Sequence, residues 1–407
     1  MAIDEPERTV LALNSGSSSL KFGLYRADAT QTEMLLSGEA AAIGDKGAKF
    51  DARNARGDAL VSETADISDQ RSAIIRVGKL LSDAKLPAPA AIGHRIVHGG
   101  PQLREHCLID DAVLRQLEAA APFAPLHTPP ALSVIRFAQE HFPGLPQAAC
   151  FDTNFHATLL DVARVLPIPK KFQSEGIQRY GFHGLSCESI VRQLGSDLPA
   201  RVVIAHLGNG ASVTAVKEGK SIDTSMGLTP TGGVIMGTRS GDLDPGVLLY
   251  LMREKKLDAA MLEEMVNHRS GLLGISGIAS DMRRLHELVA SNSDARLAIE
   301  MFCYSVRKQI AAMIAALNGV DLIVFTGGIG EHDWEARAAI CDGLSWIGVS
   351  LDETRNRRAS NPISYHAAHC PVRVVASQED EQIARHTSQL IGSREHYGGS
   401  TPALKNG

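Results

Sequence analysis

The six cysteines (Cys107, Cys150, Cys187, Cys303, Cys341 and Cys370) include no CxxC pair and are widely scattered. Neither a structural zinc nor a disulfide framework is expected, and a reducing cytoplasm is the natural compartment. The chain also lacks a long hydrophobic run near its start. Met1–Arg8 is acidic and polar, and the apolar stretch Val10–Leu13 is far too short for a signal segment or a membrane span. Positive charge is not in excess. A formal net charge of −5 argues against a general nucleic-acid binder, although local clusters of Arg, Lys and backbone N–H can still hold small anions. The pattern GxxxxGK[ST] is absent, so the chain carries no P-loop. What remains is 407 residues with 44% hydrophobic and 21% charged side chains, an ordinary mixture for a globular enzyme and too long for one core.

Thr9–Leu13 is apolar, Asn14–Ser19 breaks it with small turn-forming residues, and Leu20–Tyr25 resumes an alternating pattern. This predicts a strand–turn–strand hairpin with a polar tip. The arrangement recurs half a chain later, where Val202–Ala205 leads into His206–Gly210 and Ala211–Val216 follows. A third unit runs from Asp321–Phe325 into Thr326–Glu331. The two hairpins suggest a duplicated domain type. Helical spacing of Leu297, Met301, Tyr304, Ile310, Ile314 and Leu317 predicts a helix over Ala295–Leu317, and Asp333–Asp342 and Asp380–Leu390 also read as helical. Strands alternating with helices give α/β architecture with mixed sheets. The Pro-rich stretch Pro122–Pro130 predicts a shaped loop. Domain boundaries are expected at 1–150 plus about 380–395 for the first domain and 151–379 for the second, with 396–407 as a flexible tail.

Glycine-rich turns that follow apolar strands let backbone N–H groups approach phosphate. Asn14, Ser17, Ser19 and Lys21 in the first turn, and Gly208, Asn209 and Gly210 in the second, suit that task. Gly93–Pro101 and Met236–Asp244 each set one arginine, Arg95 and Arg239, among glycines. A guanidinium fork grips carboxylate or phosphate through two parallel bonds, which lysine cannot do. Asp152 follows the strand Ala148–Phe151, and His183 lies in the turn Tyr180–Gly184. Residue logic alone does not select these two: strand-end Asp residues are commonly caps, and fifteen histidines are present.

Taken together, these stretches resemble the acetate kinase family from Val10 to about Arg385. The carrying segments are Leu11–Phe22 (LNSGSSSLKF within it), His94–Gly100, Ala124–Pro130, Phe151–His156, Tyr180–Gly184, His206–Val213, Asp223–Pro230, Met236–Pro245, Ser270–Gly277 and Val324–Glu331. The resemblance implies two ribonuclease-H-like domains with mixed sheets flanked by helices, an active site in the interdomain cleft, and a homodimer. It implies reversible, Mg²⁺-dependent in-line transfer of the ATP γ-phosphoryl group to acetate, giving acetyl phosphate and ADP, with Mn²⁺ as a substitute metal. Asn14 and Glu379 match the magnesium-linked residues, and Lys21 the nucleotide-side lysine. Arg95, Asp152, His183 and Arg239 match the catalytic set. Val97, Leu126, His127, Phe182 and Pro230, with Arg95, match the acetate pocket. The nucleotide segments correspond to His206, Leu207, Gly208, Asn209 and Gly210, to Asp281, Met282 and Arg283, and to Gly328, Ile329, Gly330, Glu331 and His332. No nucleic-acid or membrane partner is implied. A carboxylate nucleophile is already ionised, so Asp152 suits orienting Arg95 or the magnesium shell better than taking a proton.

The chain departs from the family in the stretch Leu185–Ser186–Cys187 (commonly Thr, Ser, His, so that Leu185 and Cys187 differ), at Thr229–Val234, at Ser377–Asp380 (commonly TNEE) and at His332 (commonly Asn). Two other readings stay open at this level. One is a propionate or butyrate kinase, since a pocket separates one methylene by only ~1–3 kcal/mol. The other is a non-catalytic nucleotide switch, which the co-occurrence of Arg95, Asp152, His183 and Arg239 disfavours.

Overall fold

The apolar run at Thr9–Leu13 lies at the heart of an eight-stranded sheet in the computed structural model, which describes residues 7–16, 18–28 and 31–398, with side chains to Arg394. The described chain divides into two units. The first comprises the residues up to Asn154 together with those from Gln378 on, and the second is Phe155–Ser377. Asp152 and Glu379, which the sequence-based boundaries assign to the second domain, therefore both belong to the first unit.

In the first unit β1 (Arg8–Ser15), β2 (Ser19–Ala27), β3 (Thr32–Ala41), β4 (Lys49–Asn54), β5 (Ala59–Thr64), β6 (Ala91–Ile96), β7 (Cys107–Leu108) and β8 (Gln147–Phe151) lie in the order β5-β4-β3-β2-β1-β6-β8-β7. β1 runs parallel to β6 and β6 to β8, while the remaining pairs are antiparallel, so the sheet is mixed as the hairpin predicts. Val10–Leu13 are buried because β1 has a strand on either side and helices above and below. Leu11, Leu13, Phe22 and Leu24 pack with Ile74, Val77 and Val134 from the helices Gln70–Asp83 and Thr128–His141. Each such side chain contributes about 1.5–3 kcal/mol of burial. The helix Glu379–Gly398 packs on β1, β2, β6 and β8. It sits so close to β6 that a Cβ on Gly93 would lie 2.2 Å from Thr387 Oγ1 and 2.5 Å from Ile383 Cγ2. That helix begins one residue before Asp380 and continues to Gly398, into the stretch expected as tail. Residues 399–407 of that expected tail, and Ser17 of the first turn, lie outside the described residues.

In the second unit β9 (Arg201–Leu207), β10 (Ala211–Lys217), β11 (Lys220–Thr224), β12 (Leu322–Thr326) and β13 (Val372–Val374) lie in the order β11-β10-β9-β12-β13. β9, β12 and β13 are parallel, and β9–β10–β11 is an antiparallel meander. The helix Gly184–Leu194 covers one face through Cys187, Ile190 and Leu194, packed against Val202, Ile204 and Val324. The 25-residue helix Ser293–Leu317 packs on β9, β10 and β11. Asn292 caps its start, accepting from the Ala295 N–H at 2.8 Å. Its buried stripe is Ala295, Ala298, Ile299, Phe302, Val306 and Ile310. Leu297, Met301 and Tyr304, which share the helical spacing, form a separate exposed row instead.

Two local expectations need correction. The Pro-rich stretch is a loop only as far as His127. Thr128–Pro130 open the helix Thr128–His141, because proline's missing N–H costs nothing in a first helical turn. The Thr326–Glu331 turn is itself helical from Gly327 to His332. Among the described residues no helix is long and apolar enough to cross a membrane.

Candidate active site

In the first unit, three strand ends and one helix start bring four sequence-predicted residues together. Asn14 lies near the end of β1, Arg95 near the end of β6, Asp152 directly after β8, and Glu379 at the start of the final helix. Arg95 donates to Asp152 Oδ2 from Nε (2.9 Å) and Nη2 (2.5 Å), and from Nη1 to Asn14 Oδ1 (3.1 Å). Asn14 Nδ2 donates to Glu379 Oε2 at 3.1 Å and to Asp380 Oδ1 at 3.2 Å. Asp152 is fully buried, and its backbone N–H is held by the Ile96 carbonyl at 2.9 Å.

Burial opposes the Arg95 charge, but Asp152 foremost, then Glu379 and Asp380, more than restore it, so the guanidinium stays ionised. Three of the five guanidinium N–H groups are engaged in these bonds, leaving one on each Nη for an anion. Asp380 escaped the sequence reading. Burial, followed by repulsion from Glu379, pushes its carboxyl up to about 6, against the pull of Asn14, Lys21 and Arg95. Two acidic residues in succession were the available signal, but only folding brings them to the Asn14 amide. Lys21, exposed on β2, lies directly across the hairpin from Asn14. Val97 is buried just past β6, and Leu126 and His127 occupy the turn before Thr128.

The second unit gathers the other set. His183 is held in the left-handed region (φ 58°, ψ 27°) at the start of the helix Gly184–Leu194. That conformation is uncommon for a non-glycine residue, and it is one of seven such positions among the described residues, most of the others lying at turns and helix ends. Buried His156 braces the turn from behind, with Nε2 2.9 Å from the Phe182 carbonyl and Nδ1 2.8 Å from Ser221 Oγ. Burial lowers its pKa to about 4, so it is neutral and structural. The His183 ring stacks on His206, with centroids 4.1 Å apart and planes at 19°.

Gly210 faces both catalytic candidates. A Cβ there would lie 3.2 Å from His183 Nε2 and 3.4 Å from Arg239 Nη1. Arg239 Nη1 also donates to the carbonyl of buried Pro230 at 3.0 Å. The Gly237 N–H donates to the Asn209 carbonyl at 3.2 Å, so the arginine loop is tied to the glycine turn. A Cβ on Gly208 would approach the Gly328 N–H at 3.9 Å, which places the turns after β9 and β12 side by side. His183, His206–Gly210, Arg239 and Gly328 thus share one end of the sheet, with Phe182 buried next to His183.

Asp281 and Arg283 are occupied with each other. Asp281 caps the helix Met282–Leu288 and pairs with the exposed Arg283 at 2.7 Å. His332 is exposed beyond the glycines. Sequence reading also missed Arg337, a guanidinium only 1% exposed. Its Nη1 donates to the carbonyls of Gly330 and Glu331 (both 2.9 Å), Nε to Asn356 Oδ1 (2.8 Å) and Nη2 to the Asn356 carbonyl (2.5 Å). It braces the Gly328–His332 segment from beneath. No local pattern marks such a residue, since its partners are backbone carbonyls and one amide in two other segments.

The similarity of the chain to known proteins over nearly its whole length makes it a phosphotransferase with a carboxyl group as acceptor. More particularly, the chain belongs to the acetokinase family, whose model matches residues 9–385. Relatives named acetate kinase include those of Nitrobacter hamburgensis, 41% identical over 95% of this chain and 97% of the relative, and of Methylocella silvestris, 41% identical over 94% and 98%. Similar solved structures include a propionate kinase from Francisella tularensis (37% identity, TM-score 0.87) and the acetate kinase of Porphyromonas gingivalis (34%, TM-score 0.82). Each comparison covers 94% of this chain and all of the other.

Proposed function

We propose that the enzyme moves the γ-phosphoryl group of ATP to acetate, and runs the same step in reverse from acetyl phosphate and ADP. A carboxylate oxygen attacks the γ-phosphorus, a new O–P bond forms as the bond to the β,γ-bridging oxygen breaks, and ADP leaves. The observation that carries this reading is the Arg95 fork, fixed by buried Asp152 and Asn14 with N–H groups to spare for an anion. Asp152 acts by orienting Arg95, because an ionised acetate needs no base. His183 and Arg239 meet the charge that spreads over the equatorial phosphoryl oxygens, worth about 10²–10³ in rate per preorganised donor. Lys21 and the segments His206–Gly210, Asp281–Arg283 and Gly328–His332 hold the nucleotide.

Asn14, Glu379 and the added Asp380 suit a magnesium ion. Two carboxylates crowded on one amide, one of them with a raised pKa, form a hard oxygen set whose mutual repulsion a dication relieves. When bound, the ion neutralises phosphate charge; Mn²⁺ favours the same ligands.

Two similar structures carry different acyl names, so acetate and propionate are both candidates, and Val97, Leu126, His127, Phe182 and Pro230 are the residues that would set the limit. Trapping acyl phosphate as hydroxamate with acetate, propionate and butyrate tests the reading. Acetate should give the highest kcat/KM, with propionate within about 200-fold and butyrate poorer. ATP hydrolysis without hydroxamate from any acid would favour the nucleotide switch instead.

The enzyme is a homodimer in this reading. Helix Pro245–Lys255 buries none of its residues, although Val247, Leu249, Tyr250 and Met252 are apolar, and Leu297, Met301 and Tyr304 add a second exposed apolar row. Apolar faces of this extent call for a partner, and a second copy is the one proposed. Sedimentation of Tyr250→Glu and Met301→Glu should show monomer where the parent shows dimer. The cytoplasm fits six free cysteines.

A further inference from the structure

A run of hydrogen bonds in the second unit begins at the β12 glycine turn and ends on the stacked imidazoles. Glu331 Oε1 accepts the backbone N–H of Gly327 and that of Ser377, both at 3.0 Å. Ser377, the last residue of the unit, is thereby pinned to the glycine segment. Its hydroxyl donates to Ser186 Oγ at 3.0 Å, and Ser186 Oγ lies 2.8 Å from His206 Nδ1. On the neighbouring ring, His183 Nδ1 lies 2.9 Å from Ser212 Oγ. Ser212 pairs with His206 across β9 and β10, and Ser186 and Ser212 are both fully buried.

Proton counting settles the direction of these bonds. A serine hydroxyl has one hydrogen to give and two lone pairs to receive with. Ser186 already accepts from Ser377, so its own hydrogen goes to His206 Nδ1. If Nδ1 carried the hydrogen instead, Ser186 would accept twice and leave a buried O–H with no acceptor. With Nδ1 an acceptor, neutral His206 carries its hydrogen on Nε2. The same holds at Ser212, whose buried hydroxyl is satisfied by donating to His183 Nδ1. His183 Nε2 is the atom 3.2 Å from where a Gly210 Cβ would stand, on the side of Arg239.

We propose that Ser186, backed by Ser377 and Glu331, and Ser212 are positioning residues that fix His206 and His183 as Nε2–H tautomers, so that both rings offer N–H donors to phosphoryl oxygens. The proposal rests on the reading of the two histidines as site residues. A ring with the other tautomer would turn a lone pair towards an anion and repel it. The hydroxyls thus fix the rings as donors before substrate arrives.

Long-range ¹H–¹⁵N correlation spectra of the full-length protein labelled on histidine imidazole report each tautomer directly. His183→Gln and His206→Gln assign the two signals. The wild type should show the Nε2–H pattern at both rings. Ser186→Ala and Ser377→Ala should move His206 alone towards mixed tautomers, Ser377→Thr should restore it, and Ser212→Ala should move His183 alone. kcat for acetyl phosphate formation should fall about 3–10-fold in step with the lost Nε2–H population, with KM for acetate unchanged. An Nδ1–H pattern at either ring in the wild type would overturn the proposal. So would a His206 pattern that stays put in both Ser186→Ala and Ser377→Ala with the fold intact by melting temperature. A tautomer that moves while kcat and KM do not would remove these rings from the chemistry and overturn the positioning role through the site reading itself.

Discussion

Replacing Arg95 with lysine keeps the positive charge and removes the fork, so it separates charge from geometry. In the wild type three N–H groups hold the guanidinium: two on Asp152 Oδ2 and one on Asn14 Oδ1. Asp152 is fully buried and the Arg95 side chain only 18% exposed, so little water can stand in for what is lost. A lysine ammonium on its flexible stem can satisfy Asp152 or Asn14, but it cannot do so in the plane that leaves two parallel donors for an anion. Losing one charge-assisted bond costs about 1.5–3 kcal/mol, and a misdirected anion contact adds a comparable amount. Together these predict a loss on the order of 10²–10⁴ in kcat/KM for acetate, with KM for ATP changed less than about threefold. The coupled assay should be run beside a melting curve. A folded Arg95→Lys enzyme within fivefold of wild type would refute the claim that a rigid fork, and not charge alone, receives the substrate.

Other perturbations test neighbouring parts of the account. Gly210→Ala would bring a methyl to 3.2 Å from His183 Nε2 and 3.4 Å from Arg239 Nη1, so kcat should fall by about tenfold or more with only a minor change in melting temperature; an unchanged kcat would place those two groups away from the reacting centre. Arg337→Met leaves the Gly330, Glu331 and Asn356 oxygens buried without a donor, and should destabilise the protein by about 2–4 kcal/mol and raise KM for ATP more than KM for acetate. His286 donates to Asp333 (2.9 Å) with Glu335 close by (3.3 Å), and the Asp333 hydrogen bond, outweighing partial burial, raises its pKa above the ordinary 6.5. A raised histidine stabilises fully below its unfolded pKa and loses that contribution as pH rises through the folded value. The melting-temperature gap between wild type and His286→Gln should therefore be widest near or below about pH 6 and close as pH rises beyond the raised pKa; a gap that widens with pH would invert the assignment.

Much of the fold was legible because the strands that matter most are local and apolar. Thr9–Leu13 and Val202–Ala205 announce themselves as buried runs ended by small residues, and the hairpins follow from turn chemistry. The long helix was also visible, but its facing was not: Leu297, Met301 and Tyr304 keep helical spacing while the packed stripe lies beside them. Periodicity reports that a helix has an apolar side, and it cannot say which of two such sides meets the sheet. Arg95, Asp152, His183 and Arg239 were picked out by motif resemblance, and the structure supplies what no motif does, namely that Asp152 and Asn14 grip the same guanidinium. Asp380, Ser186 and Ser212 stayed hidden because each works through partners distant in sequence, and Arg337 because it serves mainly backbone carbonyls, which no residue pattern marks. Asp380 meets an amide 366 positions away, and Ser377 reaches Ser186 across 191. Residues of this kind carry no local signature, since small hydroxyls and lone arginines are common everywhere in a chain.

The central claim is that an oxygen of acetate becomes bonded to the γ-phosphorus of ATP. Incubating the purified enzyme with ATP, Mg²⁺ and acetate labelled with ¹⁸O in both carboxylate positions, and recording the ³¹P spectrum of the product, tests it most directly. The account predicts an acetyl phosphate resonance displaced by the isotope shift of one bridging ¹⁸O, growing in step with ADP. Unshifted acetyl phosphate, or inorganic phosphate released from ATP with no acetyl phosphate at all, would contradict it.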